Sequence, residues 1–442
     1  MVGDLEPGGE AVRLALEARK AARRLASAST ATKDLALERM AVRLGDRRDE
    51  ILSANAADVA DAEAAVADGT LSRPLLERLR LDAAKLDGMI EGVRAVEALE
   101  DPSGRVVLRT LLDDGLELTK VTCPLGLLCV IFESRPDAVT QISSLAVKSG
   151  NAVILKGGRE AARTTASLVA AIREGLGDVP GVPEGAVESV AGRAEVDALL
   201  ALDGVIDLVI PRGSNELVRS VQARTRIPVL GHAEGVCHVY VDAAADPAMA
   251  LRIVLDAKLQ YTAACNAAET LLVHRAAAHR FLPTLLARLV AAGISLRGCA
   301  ETRCLAPSVP MEAATAEDWR TEYSAPVLSV KVVESLDEAI AHVNEFGSGH
   351  TDTIVTADPA AAARFLAEVD AAGVFHNAST RFADGYRYGF GAEVGISTSK
   401  IHARGPVGLE GLVTTKYQLR GSGQVVADYS GPAARPFLHR KL

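Results

Sequence analysis

One cysteine lies in a segment whose composition suits covalent catalysis. Cys265 belongs to the sequence YTAACNA at 261–267, in which small residues follow a predicted helix. Small neighbours leave room for a substrate to reach the sulfur, and a thiolate that attacks a carbonyl carbon forms a thioester or a thiohemiacetal. An isolated cysteine is more often a small buried apolar residue, so these residues alone leave both interpretations of Cys265 open.

Two short loops are candidates for anion binding. The sequence LKGGR at 155–159 follows an apolar strand, which places Lys156 and Arg159 at the carboxyl end of a sheet, where α/β folds bind ligands. The sequence PRGSN at 211–215 follows another strand, and the backbone N–H groups of Gly213 and Ser214 could meet phosphate oxygens at a helix start. A solvated loop and an ordinary helix cap are the alternatives. No G-x-G-x-x-G follows the first strand, so the dinucleotide-binding motif is absent.

A metal site is not indicated by the histidines and cysteines. His232, Cys237 and His238 lie close together in the sequence, but their spacing matches no standard zinc site. The six cysteines form no C-x-x-C pair, and in a reducing compartment most of them should be free thiols. The sequence therefore predicts no metal centre.

The elements that must position these residues form two α/β series after a helical start. Apolar periodicity predicts that the first hundred residues are mostly helical, with a break at 101–104. The first series then has predicted strands at 125–132, 152–155, 186–190, 206–210 and 227–230, with helices near 137–148, 160–175 and 214–224. Strand, helix and strand at this spacing predict a parallel sheet with crossover helices.

A second α/β series begins after Gly235. Its predicted strands are 238–241, 270–274, 327–333, 352–356 and 373–376, with helices near 247–259 and 335–345. The segment 107–121 alternates as a hairpin would, and the tail after Thr415 alternates again. We therefore expect the two to pair as a small accessory sheet.

Composition and charge exclude several classes of function. The chain has 442 residues, enough for about three domains or two large ones. Its net charge is −9, whereas proteins that neutralise nucleic-acid phosphates usually carry surplus Lys and Arg. The longest charge-free apolar run, 121–132, is too short to cross a bilayer as a helix. We expect no nucleic-acid or membrane partner and, since no secretory signal pattern opens the sequence, a cytoplasmic location.

Several long segments together carry a family resemblance that covers nearly the whole chain in order. They are PLGLLCVIFESRP at 124–136, KSGNAVILKGG at 148–158, CHVYVD at 237–242, ACNA at 264–267, GSGHTD at 347–352, NASTRFAD at 377–384 and HARGPVGLEG at 402–411. These segments resemble those of the gamma-glutamyl phosphate reductases, a family of the aldehyde dehydrogenase superfamily. Chance agreement of so many strings is very improbable.

The resemblance implies an aldehyde dehydrogenase-like α/β fold with two parallel-sheet domains and a small oligomerisation sheet. A cofactor-binding domain would comprise 1–108 and 123–234, and a catalytic domain 235–410. The oligomerisation sheet and tail would comprise 109–122 and 411–442. A homo-oligomer, dimer or tetramer, is implied as well.

The resemblance also implies a reaction. It is the NADPH-dependent reduction of L-glutamyl 5-phosphate to L-glutamate 5-semialdehyde with release of phosphate, the second step of proline biosynthesis from glutamate. Cys265 would be the nucleophile that displaces phosphate and forms a thioester. Because glutamyl phosphate is labile, a transient contact with glutamate 5-kinase is a further hypothesis.

Residues of the superfamily's cofactor site have counterparts here. Lys156 matches the lysine that contacts the adenosine ribose, and Glu322 matches the glutamate that holds the nicotinamide ribose. Arg159 stands where relatives that prefer NAD often have Glu, and a cation there favours the 2′-phosphate of NADP(H). Gly213 and Ser214 complete the predicted cofactor contacts.

The predicted substrate contacts lie elsewhere in the sequence. Arg135 aligns with the superfamily's oxyanion-hole Asn, and its guanidinium could hold the acyl phosphate or the oxyanion, with a structural salt bridge to Glu133 as the alternative. Asn377, Ser379 and Thr380 lie on the loop that anchors the distal end of the substrate in related enzymes, where they could receive the glutamate α-carboxylate.

One departure from the superfamily concerns the general base. Gly231 stands where hydrolytic aldehyde dehydrogenases carry a glutamate, although Glu234 is near. A missing base suits a reaction in which phosphate, and not water, exchanges with the thioester. A hydrolytic NAD(P)-dependent aldehyde dehydrogenase is the alternative function, and a non-catalytic binding protein of the same fold is a second one.

Overall fold

A computed structural model describes residues 7–133, 135–231 and 234–442 of the chain. Its helices are α1 (Pro7–Leu25), α2 (Thr30–Asp46), α3 (Arg48–Ala67), α4 (Arg73–Leu79), α5 (Ala83–Glu97), α6 (Pro136–Lys148), α7 (Ala162–Gly177), α8 (Arg193–Leu200), α9 (Asn215–Arg224), α10 (Pro247–Leu259), α11 (Arg275–Ala291), α12 (Ala300–Leu305), α13 (Leu336–Phe346) and α14 (Pro359–Glu368).

The strands form separate sheets. They are β1 (Val106–Asp113), β2 (Leu116–Pro124), β3 (Leu127–Phe132), β4 (Ala152–Lys156), β5 (Val187–Ser189), β6 (Leu208–Arg212), β7 (Cys237–Val241), β8 (Ala268–His274), β9 (Ser295–Gly298), β10 (Glu312–Ala313), β11 (Val327–Val333), β12 (Thr351–Val355), β13 (Gly373–His376), β14 (Gly395–Ser397), β15 (Gly405–Val407), β16 (Val413–Arg420) and β17 (Arg440–Lys441).

The start of the chain is helical, as the sequence predicts. Ser29 caps α2, since its hydroxyl accepts a hydrogen bond from the Thr32 N–H at 3.1 Å. Helix α1 contacts β4, whereas α2 and α5 pack against α7 and α6. Among the described helices, none has both the length and the apolar character needed to span a membrane.

A four-stranded parallel sheet follows, in the order β5-β4-β3-β6. Every residue of β3 is buried, which is typical of a parallel strand covered by helices on both faces. The sequence predicted these strands and helices α6, α7 and α9. The predicted strand at 227–230 is wrong, because that segment makes a single bridge between Val229 and Val209. Pro228 has no N–H and cannot extend a ladder.

A seven-stranded sheet forms the second half, in the order β10-β9-β11-β8-β7-β12-β13. All its pairs are parallel. The five predicted strands and helices α10 and α13 are confirmed. Strands β9 and β10 and helices α11, α12 and α14 were not predicted. The two strands are short, and α11 contains Pro283, which interrupts a helical pattern.

A third, antiparallel sheet has the order β16-β2-β1-β17. Strands β1 and β2 form a hairpin, and β16 pairs with β2 from Val413↔Pro124 to Arg420↔Glu117. The expectation that the hairpin and the tail pair is therefore confirmed. The division into domains at the stated boundaries stays a prediction.

Candidate active site

The candidate site lies where the edges of the two parallel sheets meet. Lys156 and Arg212 are the last residues of β4 and β6, on either side of β3. The amino ends of β7, β8, β11 and β12 lie opposite them. A hydrogen bond connects the two sides, from Nδ2 of Asn215 at the start of α9 to Oε2 of Glu322 before β11, at 3.0 Å. We call the first group the cation edge and the second the thiol edge. The cation edge comprises Arg135, Lys156, Arg159 and Arg212, and the thiol edge comprises Gly235, Cys265, Glu322 and His350.

Cys265 lies in the turn between α10 and β8. The turn is closed by the bond from the Ala267 N–H to the Ala264 carbonyl at 2.9 Å. The residue is half-buried, and the Gly235 backbone packs directly on it. A Cβ added to Gly235 would overlap the Cys265 carbonyl, so this close approach requires glycine.

Burial controls the protonation of the thiol. It raises the pKa of Cys265 to about 12, and the negative charges of Glu322 and Glu393 act in the same direction. The guanidinium of Arg381 lowers the pKa of the thiol. At neutral pH the sulfur therefore holds its proton unless a nearby group accepts it.

A buried histidine contacts this sulfur. Nε2 of His350 lies 3.2 Å from Sγ of Cys265, and Nδ1 lies 2.8 Å from Oγ1 of Thr351. His350 is 1% exposed and directly precedes β12. The sequence analysis gave this residue no role. The available signal was a histidine at the start of a predicted strand within a family segment.

Two arginines, Arg212 and Arg135, occupy the ends of neighbouring elements on the cation edge. Burial lowers the pKa of the Arg212 guanidinium to about 10, and the positive charge of Arg135 adds to this. Nη1 of Arg212 lies 3.3 Å from Oε1 of Gln141. Arg135 forms an ion pair with Asp137 at 3.0 Å, so the salt bridge considered with Glu133 is not the one formed. The two guanidiniums lie near each other, with the carboxylates of Asp137 and Glu393 also close to Arg212.

Glu133 lies at the amino end of α9. Its Oε2 accepts a hydrogen bond from the Ser214 N–H at 3.0 Å, and Ser214 caps the helix through its own hydroxyl. A Cβ on Gly213 would collide with this carboxylate. The helix start thus already holds a negative group, and the predicted cofactor contacts of Gly213 and Ser214 stay predictions.

Lys156 and Arg159 lie together at the carboxyl end of β4. Burial lowers the pKa of Lys156, and Glu160 opposes this, while Arg159 and Arg193 lower it further. Arg193 is the first residue of α8 and was not predicted. Three cations, those of Lys156, Arg159 and Arg193, therefore lie together at the carboxyl end of β4, and the carboxylate of Glu160 lies beside them.

Glu322 joins the two edges. Its Oε2 accepts from Nδ2 of Asn215 and from the Gly235 N–H, both at 3.0 Å. These bonds hold the carboxylate between the end of the smaller sheet and the backbone beside the thiol. The predicted contact of Glu322 with a nicotinamide ribose stays a prediction.

A fully buried ion pair supports the cysteine turn from beneath. Nζ of Lys258, near the end of α10, lies 2.5 Å from Oε2 of Glu269 in β8. The other oxygen of Glu269 accepts from the Ser324 N–H at 3.3 Å. Burial raises the pKa of Glu269, which Lys258 opposes. The pair links both ends of the Cys265 turn to the segment that carries Glu322.

The predicted carboxylate-binding residues are occupied by contacts within the protein. The side chain of Asn377 bonds both the N–H and the carbonyl of Thr356, at the carboxyl end of β12. The Ser379 hydroxyl accepts from the Arg381 N–H at 3.3 Å. The Thr380 hydroxyl donates to the Asn266 carbonyl at 2.6 Å and so braces the cysteine turn. Their role toward a substrate stays a prediction.

The assignment of Gly231 to the position of the superfamily's general base, with Glu234 near it in the sequence, stays a prediction. Glu234 forms an ion pair with Arg219 of α9. Gly231 packs against Pro211. In the part of the chain that is described, no group of three or more His, Cys, Asp or Glu could hold a metal ion. His238 bonds Asp352 at 2.9 Å, and His232 lies outside the described residues.

The chain is similar to known proteins over nearly its full length. The model of the aldehyde dehydrogenase family matches residues 8–297 and 287–416. A gamma-glutamyl phosphate reductase of Synechococcus sp. (strain JA-2-3B'a(2-13)) is 58% identical over 424 residues, or 96% of this chain and 92% of that protein. The protein of the same name from Pelotomaculum thermopropionicum is 54% identical over 429 residues, or 97% of each chain.

Solved structures agree with these sequences. The crystal structure of gamma-glutamyl phosphate reductase from Thermotoga maritima has a TM-score of 0.90 and 40% identity, and the match covers 94% of this chain and 99% of that one. An acetylating aldehyde dehydrogenase from Geobacillus thermoglucosidasius has a TM-score of 0.63 and 16% identity, covering 95% and 98%. The second likeness concerns the fold alone.

Proposed function

The chain belongs to the gamma-glutamyl phosphate reductases of the aldehyde dehydrogenase family, and from this we propose that it reduces L-glutamyl 5-phosphate to L-glutamate 5-semialdehyde. Phosphate is released, and the reaction is the second step of proline biosynthesis from glutamate. A cytoplasmic location, where substrates of amino-acid biosynthesis are found, belongs to this proposal.

The observation that carries the proposal is that the guanidiniums of Arg212 and Arg381 lie near enough to the Cys265 thiol to act on it, and the predicted absence of the hydrolytic base supports it. The sulfur attacks the acyl carbon, the C–S bond forms, and the C–O bond to phosphate breaks. Gly231 supplies no carboxylate to activate water, and the carboxylate of Glu234 is paired with Arg219. The thioester is thereby protected from hydrolysis.

Arg212 and Arg135 are the proposed ligands of the departing phosphate. Both lie at the carboxyl ends of strands of the smaller sheet, and the charge of Arg212 reaches Cys265. A phosphate dianion would neutralise the two like charges and accept several of their N–H bonds.

A nicotinamide cofactor is implied by the family, and we propose NADP(H). Lys156, Arg159 and Arg193 form a cluster of cations that fits the 2′-phosphate, although Glu160 is also present. Glu322 would hold the nicotinamide ribose beside the thiol, and Gly213 and Ser214 would lie near the pyrophosphate. The cofactor, when bound, supplies the hydride that reduces the acyl group.

We further propose that the antiparallel sheet joins copies of the chain. Strand β16 is an edge strand of that sheet. Val106, Val107, Tyr417 and Leu419 of this sheet are large apolar residues left exposed. Edge strands with such residues pair readily with another chain. Contact with glutamate 5-kinase remains part of the proposal, because the acyl phosphate is labile.

The reverse reaction tests the proposed function. We expect purified protein to form NADPH from glutamate semialdehyde and NADP only when inorganic phosphate is added. The Cys265→Ala variant should bind NADPH and show no turnover. Phosphate-independent turnover would instead indicate a hydrolytic enzyme, and cofactor binding without turnover in the unaltered protein would indicate a non-catalytic member of the fold.

A further inference from the structure

The contact between His350 and Cys265 has the geometry of a proton transfer. Nε2 lies 3.2 Å from Sγ, within hydrogen-bond distance for sulfur. His350 is 1% exposed, and the turn at Gly349, with a φ of +70°, leads directly into it. The imidazole is therefore held in place beside the reacting atom.

Thr351 contacts Nδ1 of His350 and so holds the ring with Nε2 toward the sulfur. Nδ1 of His350 lies 2.8 Å from Oγ1 of Thr351. When Nδ1 carries the proton and donates it to Oγ1, Nε2 presents its lone pair to the thiol. Thr351 is 1% exposed, so water does not compete for this bond.

Among the described residues, His350 is the titratable side chain in hydrogen-bond contact with Sγ, whereas the nearby carboxylates are bonded to other groups. Oε2 of Glu322 is bound to Asn215 and to the Gly235 N–H. Glu393 accepts from the Gly385 N–H at 2.8 Å. In the part of the chain that the structure describes, the titratable groups besides His350 that act on the thiol are Arg212, Cys237, Glu322, Arg381 and Glu393.

We propose that His350 is the catalytic base that removes the Sγ proton of Cys265 as the sulfur attacks the acyl carbon. The inference deepens the proposed function and rests on it. The C–S bond forms, the C–O bond to phosphate breaks, and phosphate leaves with that electron pair. The proton moves from Sγ to Nε2, and the imidazolium then gives it to the phosphate product. Thr351 is a positioning residue.

Alkylation of the thiol measures this role without cofactor or turnover. Cys265 of the full-length protein is allowed to react with iodoacetamide from about pH 6 to about pH 10, and each cysteine is followed by peptide mass spectrometry. In His350→Gln we expect the rate at Cys265 near neutral pH to fall by about 100-fold. The rate should recover only at higher pH. Cys304, which is exposed, serves as an internal reference with an unchanged rate.

Two further variants separate catalysis from packing. Thr351→Val removes the hydroxyl that orients the ring and should shift the same pH profile by a smaller amount. Thr270→Val is the matched control, since Oγ1 of this buried strand threonine has no partner among the described residues. Its profile should equal that of the unaltered protein. If His350→Gln does not fold, as judged by thermal unfolding, Thr351→Val carries the test.

Either of two results would overturn the proposal. One is an unchanged rate and pH profile at Cys265 in His350→Gln. The other is a uniform loss of rate at every pH, which indicates a packing defect. The proposed function fails separately, through phosphate-independent turnover of the unaltered protein, and that result leaves the alkylation profile to decide the role of His350.

Discussion

The thiol edge and the cation edge of the site differ in burial and in how their polar groups are occupied. On the thiol edge, His350 is almost completely buried and bonded to a neighbouring group, as are Lys258 and Glu269, the ion pair that supports the cysteine turn. On the cation edge, Arg135 and Arg159 are exposed. The first arrangement holds the Cys265 thiol in place, whereas the second leaves charges accessible to the anions that we propose as ligands.

This difference in burial predicts whether a substitution lowers stability or weakens ligand binding. Groups bonded only within the protein contribute to folding and to the position of the sulfur, so their loss should lower stability. Groups that face solvent contribute little to folding, because exposed ion pairs stabilise weakly. Their loss should weaken ligand binding and leave the unfolding free energy nearly unchanged.

The largest expected effect is on the buried pair beneath the cysteine turn. Lys258→Met leaves Glu269 without its cation in a fully buried site, which should lower the unfolding free energy by about 3–5 kcal/mol. Urea unfolding measures this value. Replacing both partners, with Lys258→Met and Glu269→Leu, should cost less, because no charge stays buried. If the single variant lowers the unfolding free energy by less than about 1 kcal/mol, the buried pair does not stabilise the fold more than an exposed ion pair would.

A second prediction compares the two arginines of the cation edge. Arg212→Gln should raise the KM for phosphate in the reverse reaction by about 30-fold, or about 2 kcal/mol, because this guanidinium is more deeply buried. Arg135→Gln, at an exposed site paired with Asp137, should raise it less. Initial-rate kinetics and thermal unfolding of both variants check this order. Equal effects, or a loss of stability without a change in KM, would argue against phosphate binding here.

The smallest expected effect is on cofactor choice. Arg159→Ala should reduce the ratio of NADPH to NADH affinity by about tenfold, or about 1.4 kcal/mol, since one exposed cation leaves the proposed 2′-phosphate site. Fluorescence titration with each cofactor gives the ratio. Arg163→Ala is the control, because that exposed arginine of α7 is already paired with Asp58 and Asp61. An unchanged ratio in Arg159→Ala would remove this residue from the cofactor site.

The fold was largely accessible from the sequence because its strong patterns are local. Strand β3 is an unbroken apolar run, and the 3.6-residue period marks α2 and α10. The errors fall where local pattern is weak. Strands β9 and β10 are short, and the apolar segment around Pro228 resembles a strand but cannot form a continuous ladder.

The site was accessible only in part. Cys265 could be singled out by its small neighbours together with the family segments, and Lys156 and Arg159 by following an apolar strand. For Asn377 and Ser379, the sequence does not show whether the side chain binds a ligand or another part of the protein. In the structure both side chains are bonded within the protein.

The family and the two α/β series follow from residue type and order along the chain, and so does the prediction that Cys265 is the nucleophile. The folded chain was needed to find that His350, distant in sequence from Cys265, lies against its sulfur, that Glu133 occupies the start of α9, and that Arg135 pairs with Asp137. Such contacts depend on which strand ends come together in the folded chain and on how the side chains there are bonded. Residues close together in the sequence determine neither of these.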